Sequence, residues 1–160
     1  MMAGQSYRAQ VIHVAQQLRE LHRVLIAAAR WQYEQAHGPI EGPYAFLEHL
    51  AHNPTFAWLT PLTALVSDLD SLLEHAEISA ADAAAVHLEA NRLINPVEGG
   101  EMGFYQQLRD ARSAAPELVV VHDHACAALA ALPPVDPTME AVLRQSRATW
   151  GAHGLDTEVV

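Results

Sequence analysis

The sequence predicts an all-α domain, a four-helix up-down bundle with short accessory helices. Three observations carry that expectation. Strand-favouring residues are scarce and alternate poorly, whereas Ala, Leu, Gln, Glu and Arg dominate. Apolar positions recur at alternating steps of three and four, and proline and glycine fall between those periods rather than inside them. A chain of 160 residues that is 51% apolar and 18% charged has enough apolar surface for one core, which excludes disorder as its main state. We expect one domain over residues 1–152 and a polar tail, 153–160, that frays.

Each element has a local reason. The first helix runs from Gln5 to His37, with Val11, Val14, Leu18, Leu21, Leu25 and Ala28 forming the seam of a helix that lies along a bundle. Val24 to Ala29 is apolar all round, which makes this helix central. Gly38-Pro39 ends it, through a left-handed glycine cap and a proline that cannot continue. Pro43 to His52 fits a short second helix stopped at Asn53-Pro54. Phe56-Ala57-Trp58-Leu59 reads as an apolar plug under the bundle end, and Thr60-Pro61 as an N-cap followed by proline at the first helical position. The helix opened there carries Leu62, Leu65, Val66, Leu69, Leu72, Leu73 and Ala76 on one face. Its other face holds Asp68, Asp70, Glu74 and Glu77, an acidic stripe expected to be solvated.

Ser79, with Asp82 three residues on, has the form of a cap and opens a helix that reaches Ile94 and stops at Asn95-Pro96. Val97 to Gly103 is a glycine-bearing loop. From about Glu101 to Arg112 a further helix places Phe104, Leu108 and Ala111 on one side. Pro116 starts a strongly apolar helix ending at Leu132-Pro133-Pro134, and a weaker last helix fits Thr138 to Trp150. Trp31, Tyr33, Tyr44, Phe56 and Trp58 all fall near helix ends, as one aromatic lid over the bundle or as part of a partner surface.

Nine Lys+Arg against nineteen Asp+Glu give a net charge of −10. With no basic run, the chain is a poor binder of nucleic acid or of an anionic membrane. The single Cys126 excludes an intramolecular disulfide framework. No apolar segment follows the N-terminus as in a signal peptide, and the longest apolar stretches fall far short of the roughly 18 residues of a membrane span. A soluble cytoplasmic protein is the expectation.

The segment Asn53-Pro54-Thr55-Phe56-Ala57-Trp58-Leu59-Thr60-Pro61-Leu62 resembles a family of small, all-helical, uncharacterised bacterial proteins with a Phe-Ala-Trp-Leu-x-Pro-Leu signature. Phe104-Tyr105-Gln106-Gln107-Leu108 and Pro116-Glu117-Leu118-Val119-Val120-Val121-His122 are similar to that family's second recurring patch. The likeness covers the middle and C-terminal two thirds of the chain. It implies a helical, soluble protein and carries no catalytic residue across.

Ten histidines are the compositional oddity. Neutral imidazole and carboxylate are ligands for Zn, Mn and non-haem Fe, so histidines in an acidic chain invite a metal reading. His122 interrupts the seam Leu118, His122, Ala125, Leu129, Leu132, and Cys126 lies one turn along the same side. The two could present nitrogen and sulfur to one metal, or be a hydrogen-bonded buried imidazole beside an inert thiol. His124 and Asp123 fall off this face. Glu34 and His37 have the Glu-x-x-His spacing of di-iron carboxylate bundles. No second such pair exists, however, and His37 abuts a helix end that favours a cation. His49 and His52 could share a metal, or lie on a wet face opposite Phe46, Leu47 and Leu50. His22 and His87 are semi-buried by spacing and have no partner nearby in sequence. Nucleophilic catalysis finds no elbow motif, and the loop from Glu98 to Gly103 holds two acids and no lysine, so it repels phosphate.

Two readings follow. The first is a non-enzymatic helical bundle that binds a second copy, as a homo-oligomer, or a protein partner. The competing one is a metal- or haem-binding bundle with redox or oxygen chemistry. It would hold Zn or Fe through His122 and Cys126, Glu34 and His37, or His49 and His52.

Overall fold

The computed structural model describes residues 6–96 and 102–151. These form seven α-helices and two short 3₁₀ helices, with no strand among the described residues. The helices are α1 (Arg8–His37), α2 (Pro43–His52), α3 (Thr60–Leu72), α4 (Ala80–Ile94), α5 (Met102–Ala114), α6 (Pro116–Leu129) and α7 (Glu140–Thr149). The 3₁₀ helices span Pro54–Leu59 and Pro137–Met139. The loop expected at residues 97–101 and the tail expected from residue 153 lie outside the described residues, and Gly103, expected in that loop, is inside α5.

Helix α1 packs most extensively on α6 and also against α3, while α4 packs on α7, α6 and α3. The seam of α1 is where spacing puts it for Val11, Val14, Leu18, Leu21 and Leu25, but it closes on Ala29 rather than Ala28. A straight helix turns in 3.6 residues and drifts off a strict three-four pattern by about 20° per heptad. The same drift leaves Ala27 exposed and Ile26 and Ala28 half-buried, so the end of α1 is not enclosed on all sides. Its start is fastened from afar. The Ser6 hydroxyl accepts the Arg8 and Ile78 amides, the Tyr7 amide donates to the Ile78 carbonyl at 3.0 Å, and Arg8 Nη1 donates to the His75 carbonyl at 2.5 Å.

At its other end Gly38 has φ +88° and ψ 169°. This is extended backbone with positive φ, not the left-handed cap expected, because Pro39 bars helical ψ in the residue before it. Two side chains then hold the loop. Glu34 Oε2 accepts the Ile40 amide at 2.7 Å, and Arg30 Nη2 donates to the Ile40 carbonyl at 3.1 Å. The Arg30 guanidinium also lies 4.6 Å over the Phe46 ring of α2.

Asn53 ends α2 and starts the next element: its side chain accepts the Thr55 amide, and of the expected plug Phe56 and Leu59 are buried while Trp58 is half-buried and Ala57 exposed. The 3₁₀ helix runs without a break into α3. Thr60 is therefore already helical at φ −53°, ψ −44°, and it is not the N-cap expected. Asn53-Pro54 and Thr60-Pro61 carry the same cap-then-proline signature, and the upstream one acts. Leu62, Leu65, Leu69 and Leu72 of α3 are buried, whereas Ala76 lies beyond the helix end and is exposed.

Ser79 caps α4 as expected, its hydroxyl accepting the Asp82 amide at 3.1 Å. Residues around most of the circumference of α4 are buried, because α3, α5, α6 and α7 all lean on it. The α6 seam is buried throughout, from Leu118 through His122, Ala125 and Leu129 to Leu132 just beyond the helix. The last helix is firmer than its sequence suggests. Trp150, immediately after α7, is among the largest fully buried side chains.

Candidate functional site

His122 sits at the meeting of three helices. Only 3% of it is exposed. Ile94 is the last residue of α4, so its carbonyl has no partner within the helix. His122 Nε2 lies 2.6 Å from that oxygen, and Nδ1 lies 2.5 Å from Arg112 Nη1 of α5. The carbonyl can only accept and the guanidinium can only donate, so Nε2 carries the proton and Nδ1 does not. The imidazole is thus neutral and both ring nitrogens are occupied, leaving no lone pair for a metal.

Burial is the first cause that pushes the His122 imidazole below the ordinary histidine value of 6.5. The hydrogen bond to Ile94 opposes it, the Arg112 guanidinium adds to it, and Asp123 opposes it again. Cys126, one turn on, is half-buried, and burial pushes its thiol up, so it lacks thiolate character. Burial also lowers His22 of α1, whose Nε2 donates to Thr63 Oγ1 at 2.8 Å, since that hydroxyl gives its own proton to the Leu59 carbonyl. A histidine held below its unfolded value binds fewer protons folded than unfolded, so its stabilisation is complete above that value and is lost as pH falls through it. We expect stability to decline on acidification from neutral pH through about 6.5 and below, measured by urea unfolding at a series of pH values. The decline should be shallower in His122→Gln.

The remaining metal candidates are dispersed. Glu34 is taken by the Ile40 amide and Arg30. His37 packs on Tyr33 with ring centroids 4.5 Å apart, and His49 packs on the same ring at 4.9 Å. Asn53 Nδ2 donates to His49 Nδ1 at 3.0 Å. His52 is exposed at the end of α2. The described residues contain no group of three or more His, Cys, Asp or Glu placed to hold a metal. What several histidines do instead is staple helices through backbone carbonyls. His122 donates to Ile94, His87 Nδ1 to Pro133 at 2.8 Å, and His75 Nε2 to Trp150 at 3.4 Å.

Nor do the aromatic residues form one lid. Tyr33, Phe56 and Phe46 make a cluster, with Tyr33–Phe56 centroids at 5.4 Å and Phe46–Phe56 at 6.0 Å. Trp58 pairs instead with Phe104 of α5 at 5.7 Å. Trp31 and Tyr44 stay outside, 61% and 84% exposed. Helix α2 contributes no buried residue at all. Its inner side places Phe46 and Leu50 half-buried against the core, and its outer side sets Tyr44, Leu47 and Ala51 in one exposed strip at helical spacing.

Comparison with protein-family models, curated proteins and solved structures finds no match. No helix among the described residues is long and apolar enough to cross a membrane.

Sequence reasoning also missed how the basic residues are used. All nine are arginines, and five of them fall in two clusters. Arg92, Arg144 and Arg147 border a recess of about 220 Å³ among α3, α4 and α7, where Glu89 is buried. Arg147 donates to Asp68 at 2.7 Å and to Glu89 at 3.3 Å, Arg144 lies 4.0 Å from Glu89, and Arg92 lies 3.8 Å from Glu140. Each guanidinium there faces an acid. The stripe on α3 is therefore not simply solvated, since Asp68 holds α7 and Asp70 pairs with Arg19 of α1. Arg109 and Arg112 form the second cluster, on α5. The only local sign of it is their three-residue spacing, which puts both on one side of a helix.

Proposed function

We propose that this chain is a non-enzymatic association module that pairs with a second copy of itself through α2. The observation that carries the reading is a ten-residue helix that buries none of its residues yet presents Tyr44 at 84% and Leu47 at 59% exposure. Large apolar side chains at helical spacing on an outer face lose water only when something covers them. A two-fold pairing places the same strip on both partners, so Tyr44 of each copy meets apolar surface of the other. A helix of this length is only about 15 Å long. It falls short of the roughly 800 Å² per partner of a standard interface, which makes the pairing a weak one.

The pairings of α1 with α3 and α6, and of α4 with α3 and α6, fit a four-helix core of up-down type. In that arrangement α2, α5 and α7 are accessory, and α2 is the accessory helix free to dock. The metal- or haem-binding alternative draws no converging ligand set from the described residues.

Sedimentation velocity over a concentration series tests the proposal. The full chain is expected to shift reversibly from monomer towards dimer as concentration rises, and Tyr44→Ser with Leu47→Ser is expected to stay monomeric with unchanged helix content. A chain that remains monomeric throughout, or a variant that dimerises equally well, rejects the reading.

A further inference from the structure

Tyr105, Arg109, Arg112 and Ser113 share one side of α5 and, with Val119 of α6, line an open groove of about 440 Å³. No acid among the described residues lines it, although the chain carries nineteen acids against nine basic residues. Two guanidiniums three residues apart on a helix repel each other. The other cluster offsets such repulsion with an acid for every arginine, and this one does not. Arg109 makes no ion pair among the described residues, and its guanidinium lies 6.0 Å over the Tyr105 ring. Arg112 uses Nη1 for His122 and, at 3.4 Å, for Asp123. Its other two nitrogens make no hydrogen bond among the described residues.

We propose that this groove binds a small organic phosphate, its phosphoryl oxygens taken by Arg109 and Arg112 and its organic part resting on Tyr105 and Val119. The donor set favours phosphate over carboxylate. Two planar forks and the Tyr105 hydroxyl offer more donors than the roughly four lone-pair sites of a carboxylate can use, whereas three phosphoryl oxygens can accept from all of them at once; the Ser113 hydroxyl already donates to the Arg109 carbonyl. The charge fits too, because a dianion matches two guanidiniums of which one is partly offset by Asp123. His122 is a positioning residue here: by accepting from Nη1 it fixes the end of Arg112 and turns the rest of the fork towards the groove. The site is separate from the α2 surface, so either proposal can fail without the other.

The test is a titration of phenyl phosphate into the full chain, followed through backbone amide chemical shifts. Saturable shifts are expected at Tyr105, Arg109, Arg112, Ser113 and Val119. Inorganic phosphate should bind the same residues more weakly, since it lacks the organic part, and benzoate should bind more weakly than phenyl phosphate. Arg109→Met, an exposed position that leaves the fold intact, should weaken phenyl phosphate by about tenfold, the loss expected for one charge-assisted contact. Arg19→Met, which removes an arginine already paired with Asp70, should leave the affinity unchanged, as should Tyr44→Ser. Linear, scattered shifts overturn the proposal, and so does an Arg109→Met variant that binds as the native chain does. Benzoate binding as tightly as phenyl phosphate overturns the assignment to phosphate.

Discussion

His122→Ala is expected to destabilise the chain by about 3 kcal/mol, from two polar groups left unsatisfied at roughly 1–3 kcal/mol each. The Ile94 carbonyl loses its donor among the described residues at the end of α4, and Arg112 loses the acceptor that holds it against the α5–α6 junction. For a chain of this size the melting temperature should fall by about 6–12 °C. Arg112→Met separates the two contributions. It removes the contact at Nδ1 and leaves the bond to Ile94, so its loss should be clearly smaller than that of His122→Ala. Elemental analysis of both proteins is expected to show the same metal content. Loss of a stoichiometric metal from the His122→Ala protein would restore the metal-binding reading.

Arg147→Met should be of similar size, about 3 kcal/mol or somewhat more, the range for breaking a buried ion pair from one side. The Glu89 side chain is only 9% exposed, and Arg147 reaches both it and Asp68, which joins α3, α4 and α7 through one guanidinium. Without Arg147, Arg144 stays 4.0 Å from that carboxylate, a longer contact than the one lost. The decisive comparison is a double-mutant cycle. Glu89→Gln in the Arg147→Met background should recover most of the loss, because the penalty comes from an uncompensated charge and not from lost packing. If the double variant is no more stable than the single one, Arg147 acts chiefly through its methylenes, and the ion-pair account fails.

Much of the fold was legible because helix periodicity is a local property. The α6 seam, the bounds of α2 and the Ser79 cap each follow from residues within a few positions of one another. Thr60 was misread because a cap-then-proline pair looks the same whether or not the chain is already helical on entering it. Trp150 was missed for a different reason: only Leu143 is buried within α7, and the anchor lies one residue past its end. The site was less legible than the fold. Spacing placed His122 on a buried face, but its partners are a backbone carbonyl 28 residues earlier and an arginine on another helix. Glu34 shows the same limit. Its spacing to His37 suggested a ligand pair, while its partners are Arg30, one turn back, and the amide of Ile40, a group that every non-proline residue carries and that no motif can single out.

The pairing of α1 with α6 also sets a schedule. Some eighty residues separate the end of one from the start of the other, and ribosomes add roughly 5–20 residues per second. The leucine seam of α1 therefore waits on the order of ten seconds in the nascent chain before its main partner exists. Chaperones that read exposed leucine should meet this protein during synthesis, and slow codons placed before α6 should lower its soluble yield more than the same codons placed after it.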